Sequence, residues 1–167
     1  MLRRLLTAIL ILPFNALVVA PGVLLLAFRQ TRWAHSLAAP AGAAFWVGAV
    51  ALAAGLALAV WTVALFVRAG EGTPAPWDPP RRFVVRGPYR HVRNPMICGV
   101  LLVLLGEGLL LGSWPIGALL AFFVLANLVY IPFFEEPRLA ARFGEPYLEY
   151  RKHVRRWLPR LRPWRPE

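Results

Sequence analysis

A basic stretch, residues 86–99 (RGPYRHVRNPMICG), contains the side chains best suited to binding an anion. Asn94 followed by Pro95 predicts a helix start, because Asn accepts hydrogen bonds from first-turn amides and Pro is tolerated at the first helical position. The unpaired amides and the dipole of a helix start attract negative charge, and Arg90 and Arg93 precede it closely. The stretch therefore predicts an anion site. The alternative is a basic segment whose arginines only reach the membrane surface.

Two adjacent carboxylates, Glu135 and Glu136, close the last apolar segment of the chain, just before Pro137. If a helix ends there, they face the negative end of its dipole, which is unfavourable by up to about 1 kcal/mol. A bound cation or an arginine partner would offset that cost. The pair is therefore the second half of a candidate site.

The order and spacing of several short motifs resemble the isoprenylcysteine carboxyl methyltransferase and phospholipid methyltransferase superfamily. The resemblance covers roughly residues 73–159. Its motifs are Gly87-Pro88-Tyr89, Val92-Arg93-Asn94-Pro95 to Gly99, Glu135-Glu136-x-x-Leu139, Phe143-Gly144-x-x-Tyr147-x-x-Tyr150 and Val154.

The resemblance implies a methyltransferase that uses S-adenosyl-L-methionine and acts on a lipophilic or membrane-embedded acceptor. It implies catalytic roles for Arg93 and Glu136 and no metal. The cofactor contacts that it implies are Tyr89, Arg90, Asn94, Pro95, Gly99, Glu135 and Glu136. Asn94 stands where the family has His, and Ile97 where it has Tyr. The acceptor stays open among a prenylcysteine-type carboxylate, a phospholipid amine and a related small molecule.

Two other classes of protein fit the same residues. One is a non-catalytic membrane protein on this scaffold, and the other is a sterol or steroid reductase-like enzyme with a nicotinamide cofactor. Cofactor binding distinguishes the three.

Composition indicates a single membrane domain. The 167 residues are 59% hydrophobic with a mean hydropathy of +0.56, too apolar for an ordinary soluble domain. The sequence predicts an all-α integral membrane protein with about four transmembrane helices and short C-terminal interfacial helices. Its predicted parts are two spans in 1–67 (Leu5–Phe28, Ala41–Val67), a loop in 68–95, a hairpin in 96–134 (Met96–Leu111, Phe122–Phe134) and a tail in 135–167 split at Gly144.

Charge distribution predicts the orientation. The loop before Pro95 and the tail after Glu136 hold 15 of the 19 Lys and Arg residues. By the positive-inside rule, both termini, the loop and the site face the cytoplasm. The net charge of +11 therefore reflects membrane topology rather than nucleic-acid binding. The expected partners are the membrane and a lipophilic substrate, and the oligomeric state stays open.

Three residues outside the motifs also invite predictions. Glu107 lies within the third predicted span, where we expect a structural role, protonated or hydrogen-bonded to a neighbour such as Asn127. His35 lies in a short connection and is expected at headgroup level. Phe83 in the long loop predicts packing rather than disorder.

Overall fold

The computed structural model describes residues 2–11, 13–31, 36–73 and 79–165, and within that part the chain is helical, without strands. The α-helices are α1 (Leu2–Ile11), α2 (Ala20–Ala27), α3 (Ala43–Ala69), α4 (Pro95–Leu110), α5 (Trp114–Tyr130), α6 (Glu136–Phe143) and α7 (Glu145–His153). Shorter π-helical turns cover Asn15–Val19 and Ile131–Glu135, and a 3₁₀ turn covers Gly87–Arg90. The predicted all-α class is confirmed.

Two helical stretches are long and apolar enough to cross a membrane. These are α3, with 27 residues, and the continuous stretch Trp114–Phe143, with 30. Few residues of either are buried in the protein, as expected where lipid covers the apolar side chains. The other apolar helices, Asn15–Ala27 and Pro95–Leu110, are shorter. The four-span topology therefore stays a prediction.

The boundaries of the predicted spans shift in two places. The first span is divided by the π-helical turn at Asn15–Val19, which lies between Pro13 and Pro21. Helix α5, which carries the fourth predicted span, begins at Trp114 rather than at Phe122. Pro115 occupies its first turn, where the missing amide hydrogen costs nothing.

Helices α3 and α4 pack closely because glycines face each other across their contact. A Cβ added at Gly55 would lie 2.7 Å from the carbonyl oxygen of Gly99, and one added at Gly106 would lie 2.7 Å from the amide nitrogen of Leu52. A side chain at either position would force the two helices apart. The contact holds α4, which begins directly after Arg93 and Asn94, rigidly against α3.

An aromatic cluster forms a second core next to the first turn of α4. Tyr147, Tyr150 and Val154 are its buried centre. The ring of Phe83 lies 5.2 Å from that of Tyr150 and 5.2 Å from that of Phe143. The predicted packing of the loop is therefore confirmed at Phe83, and its partners are α6 and α7. Gly144, at φ +59°, separates these two helices, which confirms the predicted split.

The C-terminal tail folds back onto the segment before α4. Amide hydrogens of Arg93, Arg160 and Trp164 bond to the carbonyls of Arg155, His91 and Arg90, at 2.9, 2.9 and 3.0 Å. The Tyr150 hydroxyl donates to the carbonyl of Tyr89 at 2.7 Å. These bonds fix residues 155–164 beside the basic stretch. The tail therefore contributes to the candidate site.

Candidate active site

The helix that carries the two carboxylates does not end there. Pro132 lacks an amide hydrogen, and the lost bond is absorbed by the π-helical turn Ile131–Glu135, after which α6 continues from Glu136. Pro137 occupies the first turn of α6, where it is tolerated. The expectation that Glu135 and Glu136 face the negative end of a helix dipole is therefore wrong. Their role must come from their neighbours.

Glu136 lies between two arginines. Its side chain is 7% exposed. Arg156 donates from Nε to Oε1 at 2.7 Å and from Nη2 to Oε2 at 3.0 Å, which is the two-pronged geometry that suits a carboxylate. Arg93 Nη1 lies 3.0 Å from the same Oε1. The predicted arginine partner is thus confirmed for Glu136.

Arg93 keeps hydrogen-bonding capacity that the protein does not use. Its side chain is 11% exposed, and within the described part of the chain its buried Nε has no hydrogen-bond partner. Nη1 contacts Glu136 as an ion pair but without the alignment of a hydrogen bond. A buried, unpaired N–H is costly. The guanidinium therefore suits an anionic ligand.

Tyr147 lies close to these charges. Burial and, behind it, the charge of Glu136 raise the pKa of its hydroxyl to about 12, against the opposing effect of Arg93. The phenol therefore stays neutral at physiological pH. A neutral hydroxyl can sit beside Glu136 without repelling it.

Glu135 is the uncommitted member of the carboxylate pair. It is partly buried, and the structure gives its side chain no hydrogen bond or ion pair among the described residues. Its charge contributes to the raised pKa values of Tyr89 and Tyr147, behind the larger effect of burial, so it lies near both phenols. A carboxylate in this position can bind a cationic group of a ligand.

Asn94 has the predicted position but not the predicted bond. It is the N-cap residue of α4, and Pro95 begins the helix as expected, yet the Asn94 side chain makes no capping hydrogen bond. Its Nδ2 instead lies 3.5 Å from the carbonyl oxygen of Arg156, at the limit of a hydrogen bond. The prediction of a capping bond is wrong because the side chain turns towards the folded-back tail. Its role toward a cofactor stays a prediction.

Three other predicted cofactor contacts support the fold. Tyr89 is buried and stacks on Phe66, with ring centroids 5.4 Å apart. Arg90 Nε donates to the carbonyl of Val85 at 3.3 Å. Gly99 lies in the contact between α3 and α4. The structure thus groups Arg93 with Glu136, and the cofactor roles of these three residues stay predictions.

Sequence reasoning missed Arg156. From the sequence it counts only as one of the basic residues of the tail, because nothing local distinguishes it from Arg155. Only the fold shows that its guanidinium bonds to Glu136, twenty residues earlier in the chain. A buried carboxylate that needs a partner was the available signal.

The predictions for Glu107 and His35, which lie outside the motifs, have different outcomes. Asn127 Nδ2 donates to the carbonyl of Phe123 in its own helix at 2.8 Å, so it is not the partner of Glu107. Glu107 has a buried Oε2 without a hydrogen bond in the part of the chain that is described. His35 lies outside the described residues.

Comparison with known proteins gives one family. The family model described as phospholipid methyltransferase matches residues 43–146. No curated protein and no solved structure matches the chain significantly. The matched range runs from α3 to the beginning of α7 and includes Arg93, Glu135 and Glu136, whereas Arg156 lies beyond it.

Proposed function

The chain belongs to the phospholipid methyltransferase family, and from this premise we propose that it transfers a methyl group from S-adenosyl-L-methionine to a lipid acceptor. The observation that carries the proposal is the buried carboxylate of Glu136, which pairs with Arg93 and Arg156, beside the uncommitted carboxylate of Glu135. Membership of the family supports methyl transfer and a membrane setting. The use of S-adenosyl-L-methionine as the cofactor and of a lipid as the acceptor is what we propose beyond family membership.

The charges of this cluster suit the ends of the cofactor. Its methionine part carries one carboxylate, together with cationic amino and sulfonium groups. Arg93 offers an unused N–H to an anion, and Glu135 offers a carboxylate to a cation. Arg156 and Arg93 neutralise Glu136, so that Glu136 acts by holding Arg93 in place. The residues present therefore fit the group.

The bound cofactor would supply an electrophilic methyl group. Methyl transfer to an amine or carboxylate is an in-line displacement, so the protein mainly has to position the reactants and exclude water. Arg93 and Glu136 are both mostly removed from solvent, and hydrogen bonds and ion pairs are stronger in such surroundings. We therefore assign Arg93 and Glu136 to cofactor orientation, and not to nucleophilic attack.

The acceptor would reach the site from the bilayer. Trp46 and Val50 on α3 and Phe122 and Leu125 on α5 are more than half exposed, which suits helices surrounded by lipid tails. A lipid with its reactive group at the headgroup level can approach the first turn of α4 without leaving the membrane.

We place the site on the cytoplasmic face, as the last part of the proposal. The distribution of Lys and Arg supports this placement and a four-span topology. Reporter fusions after Phe28, Arg68, Ser113 and the C-terminus test it, with cytoplasmic signals expected at Arg68 and the C-terminus. A signal at Arg68 from the opposite side would contradict the placement.

Direct cofactor binding tests the proposal. Isothermal titration of the full chain in detergent should show S-adenosyl-L-methionine binding, and Glu135→Gln should weaken it about ten- to a hundredfold, the value of a lost charged hydrogen bond. Glu145→Gln, at an exposed position, is the matched control and should bind like the wild type. A nicotinamide that binds in place of S-adenosyl-L-methionine would favour the reductase-like alternative. Binding of neither would favour a non-catalytic protein.

A further inference from the structure

A second, strongly basic cleft lies in the C-terminal tail. It has a volume of about 550 Å³ and is separate from the Glu136 cluster, since none of that cluster's residues lines it. Its lining residues are Lys152, His153, Arg155, Pro159, Arg160 and Leu161. Nothing in the proposed methyl transfer requires this cleft.

The cleft carries a surplus of positive charge. Lys152, Arg155 and Arg160 all contribute to its lining. Glu149 lies 3.0 Å from Lys152 and offsets one of these charges. Arg160 Nη1 donates to the carbonyl of His153 at 2.8 Å, which fixes that guanidinium at the cleft without neutralising it. The arrangement favours a ligand with negative charge, such as a phosphate group.

Two leucines next to the cleft are exposed although nothing polar requires them there. Leu161 is 99% exposed and Leu158 is 65% exposed. Leu161 stands between Arg160 and Arg162 in the sequence. Apolar side chains beside cations are the pattern of a segment that lies in the membrane interface, with the cations at the headgroups and the apolar groups below them.

We propose that the segment 152–162 binds the phosphate group of an anionic phospholipid in the bilayer, with Leu158 and Leu161 inserted among the acyl chains. Charge complementarity identifies the headgroup, and the exposed leucines identify a lipid rather than a free anion. This lipid is a second ligand, bound outside the Arg93 and Glu136 cluster. The proposal does not depend on methyl transfer.

Lipid binding by the full chain in detergent tests the proposal. Short-chain phosphatidylglycerol is the probe, and short-chain phosphatidylcholine and inorganic phosphate are the comparison ligands. Arg155→Gln combined with Arg160→Gln should weaken phosphatidylglycerol binding about thirtyfold, because each cation near an anionic surface contributes about fivefold. Leu161→Ser should weaken it about tenfold. The matched control, Arg81→Gln with Arg138→Gln, removes two exposed cations outside the cleft and should change binding less than twofold.

The outcomes separate the proposal from general surface charge. An equal loss in the control variant, equally tight phosphatidylcholine binding, or inorganic phosphate binding as tightly as the lipid would each overturn it. Arg155→Lys with Arg160→Lys keeps the charge and should keep most of the affinity. Should the glutamine variant fail to fold, Leu161→Ser still decides, because a fully exposed side chain contributes little to stability. Unchanged phosphatidylglycerol binding in that variant would contradict the inserted leucine.

Discussion

Replacing Glu136 with Gln removes the negative charge that joins α6 to the segment just before α4 and to the C-terminal tail. Arg93 and Arg156 would then share one neutral amide in place of a carboxylate. Because Arg93 is 11% exposed, water can solvate its charge only in part. The variant therefore leaves one largely buried cation without a counter-charge.

The burial of each partner sets the magnitude. Removing one member of a buried ion pair costs about 3–5 kcal/mol. Arg156 is 29% exposed and can turn partly to solvent, so we expect the lower end, about 3 kcal/mol. For a chain of this length that lowers the melting temperature by about 6–12 °C. Arg156→Gln leaves Glu136 paired with Arg93 and should cost only about 2 kcal/mol.

Thermal melts in one detergent measure these differences. The double variant of Glu136→Gln and Arg156→Gln should lose less than the sum of the single variants, because both changes break the same interaction. Glu149→Gln breaks an exposed pair with Lys152 and serves as the control, with a shift of about 1–2 °C or less. Equal melting temperatures for wild type and Glu136→Gln, or strictly additive losses, would refute the reasoning.

Three further predictions use the same melts. Gly106→Ala should lower the free energy of unfolding by about 1–3 kcal/mol, because the new Cβ would meet the backbone of α3. Gly117→Ala, with open space around it, is the control and should not lower it. Equal shifts in the two variants would mean that α3 and α4 lie further apart than the structure has them. The contribution of Tyr147 to the free energy of unfolding should be fully present below pH 10, the usual pKa of an unfolded tyrosine. It should be lost as the pH rises to 12, because the folded pKa of Tyr147 is about 12. Tyr147→Phe should reduce the loss of stability over that range, and an unchanged profile would assign the loss to other groups. Asn94→Ala should lower the free energy of unfolding by less than the roughly 0.5–2 kcal/mol that a capping asparagine contributes, since the Asn94 side chain makes no capping bond. A loss near 2 kcal/mol would show that Asn94 does cap the helix.

Local patterns were enough to predict α3, the start of α4 and the break between α6 and α7. The apolar run predicted α3, Asn94 with Pro95 predicted where α4 begins, and Gly144 predicted the break between α6 and α7. These signals act within one or two helical turns. A single sequence contains them in full.

Features that depend on distant contacts could not be predicted in the same way. Pro137 resembles a helix terminator, but the π-helical turn before Glu136 lets the helix continue. The partnership of Glu136 with Arg156 depends on the tail folding back through backbone hydrogen bonds such as that from Arg93 to Arg155. Backbone bonds of this kind leave no mark on side-chain type. The sequence therefore predicts the two parts of the site, the basic stretch and the carboxylate pair, but not the contacts that bring them together.

Transfer of a labelled methyl group to lipid tests the central claim most directly. Purified wild-type protein, incubated with methyl-labelled S-adenosyl-L-methionine and a membrane lipid extract, should place label in the lipid fraction. After treatment with mild base, label that stays non-volatile indicates an N-methylated amine. Label released as methanol indicates a methyl ester. Glu135→Gln should lose most of the incorporation, while Glu145→Gln should keep it. No lipid labelling by folded wild-type protein, or equal labelling by Glu135→Gln, would contradict the account.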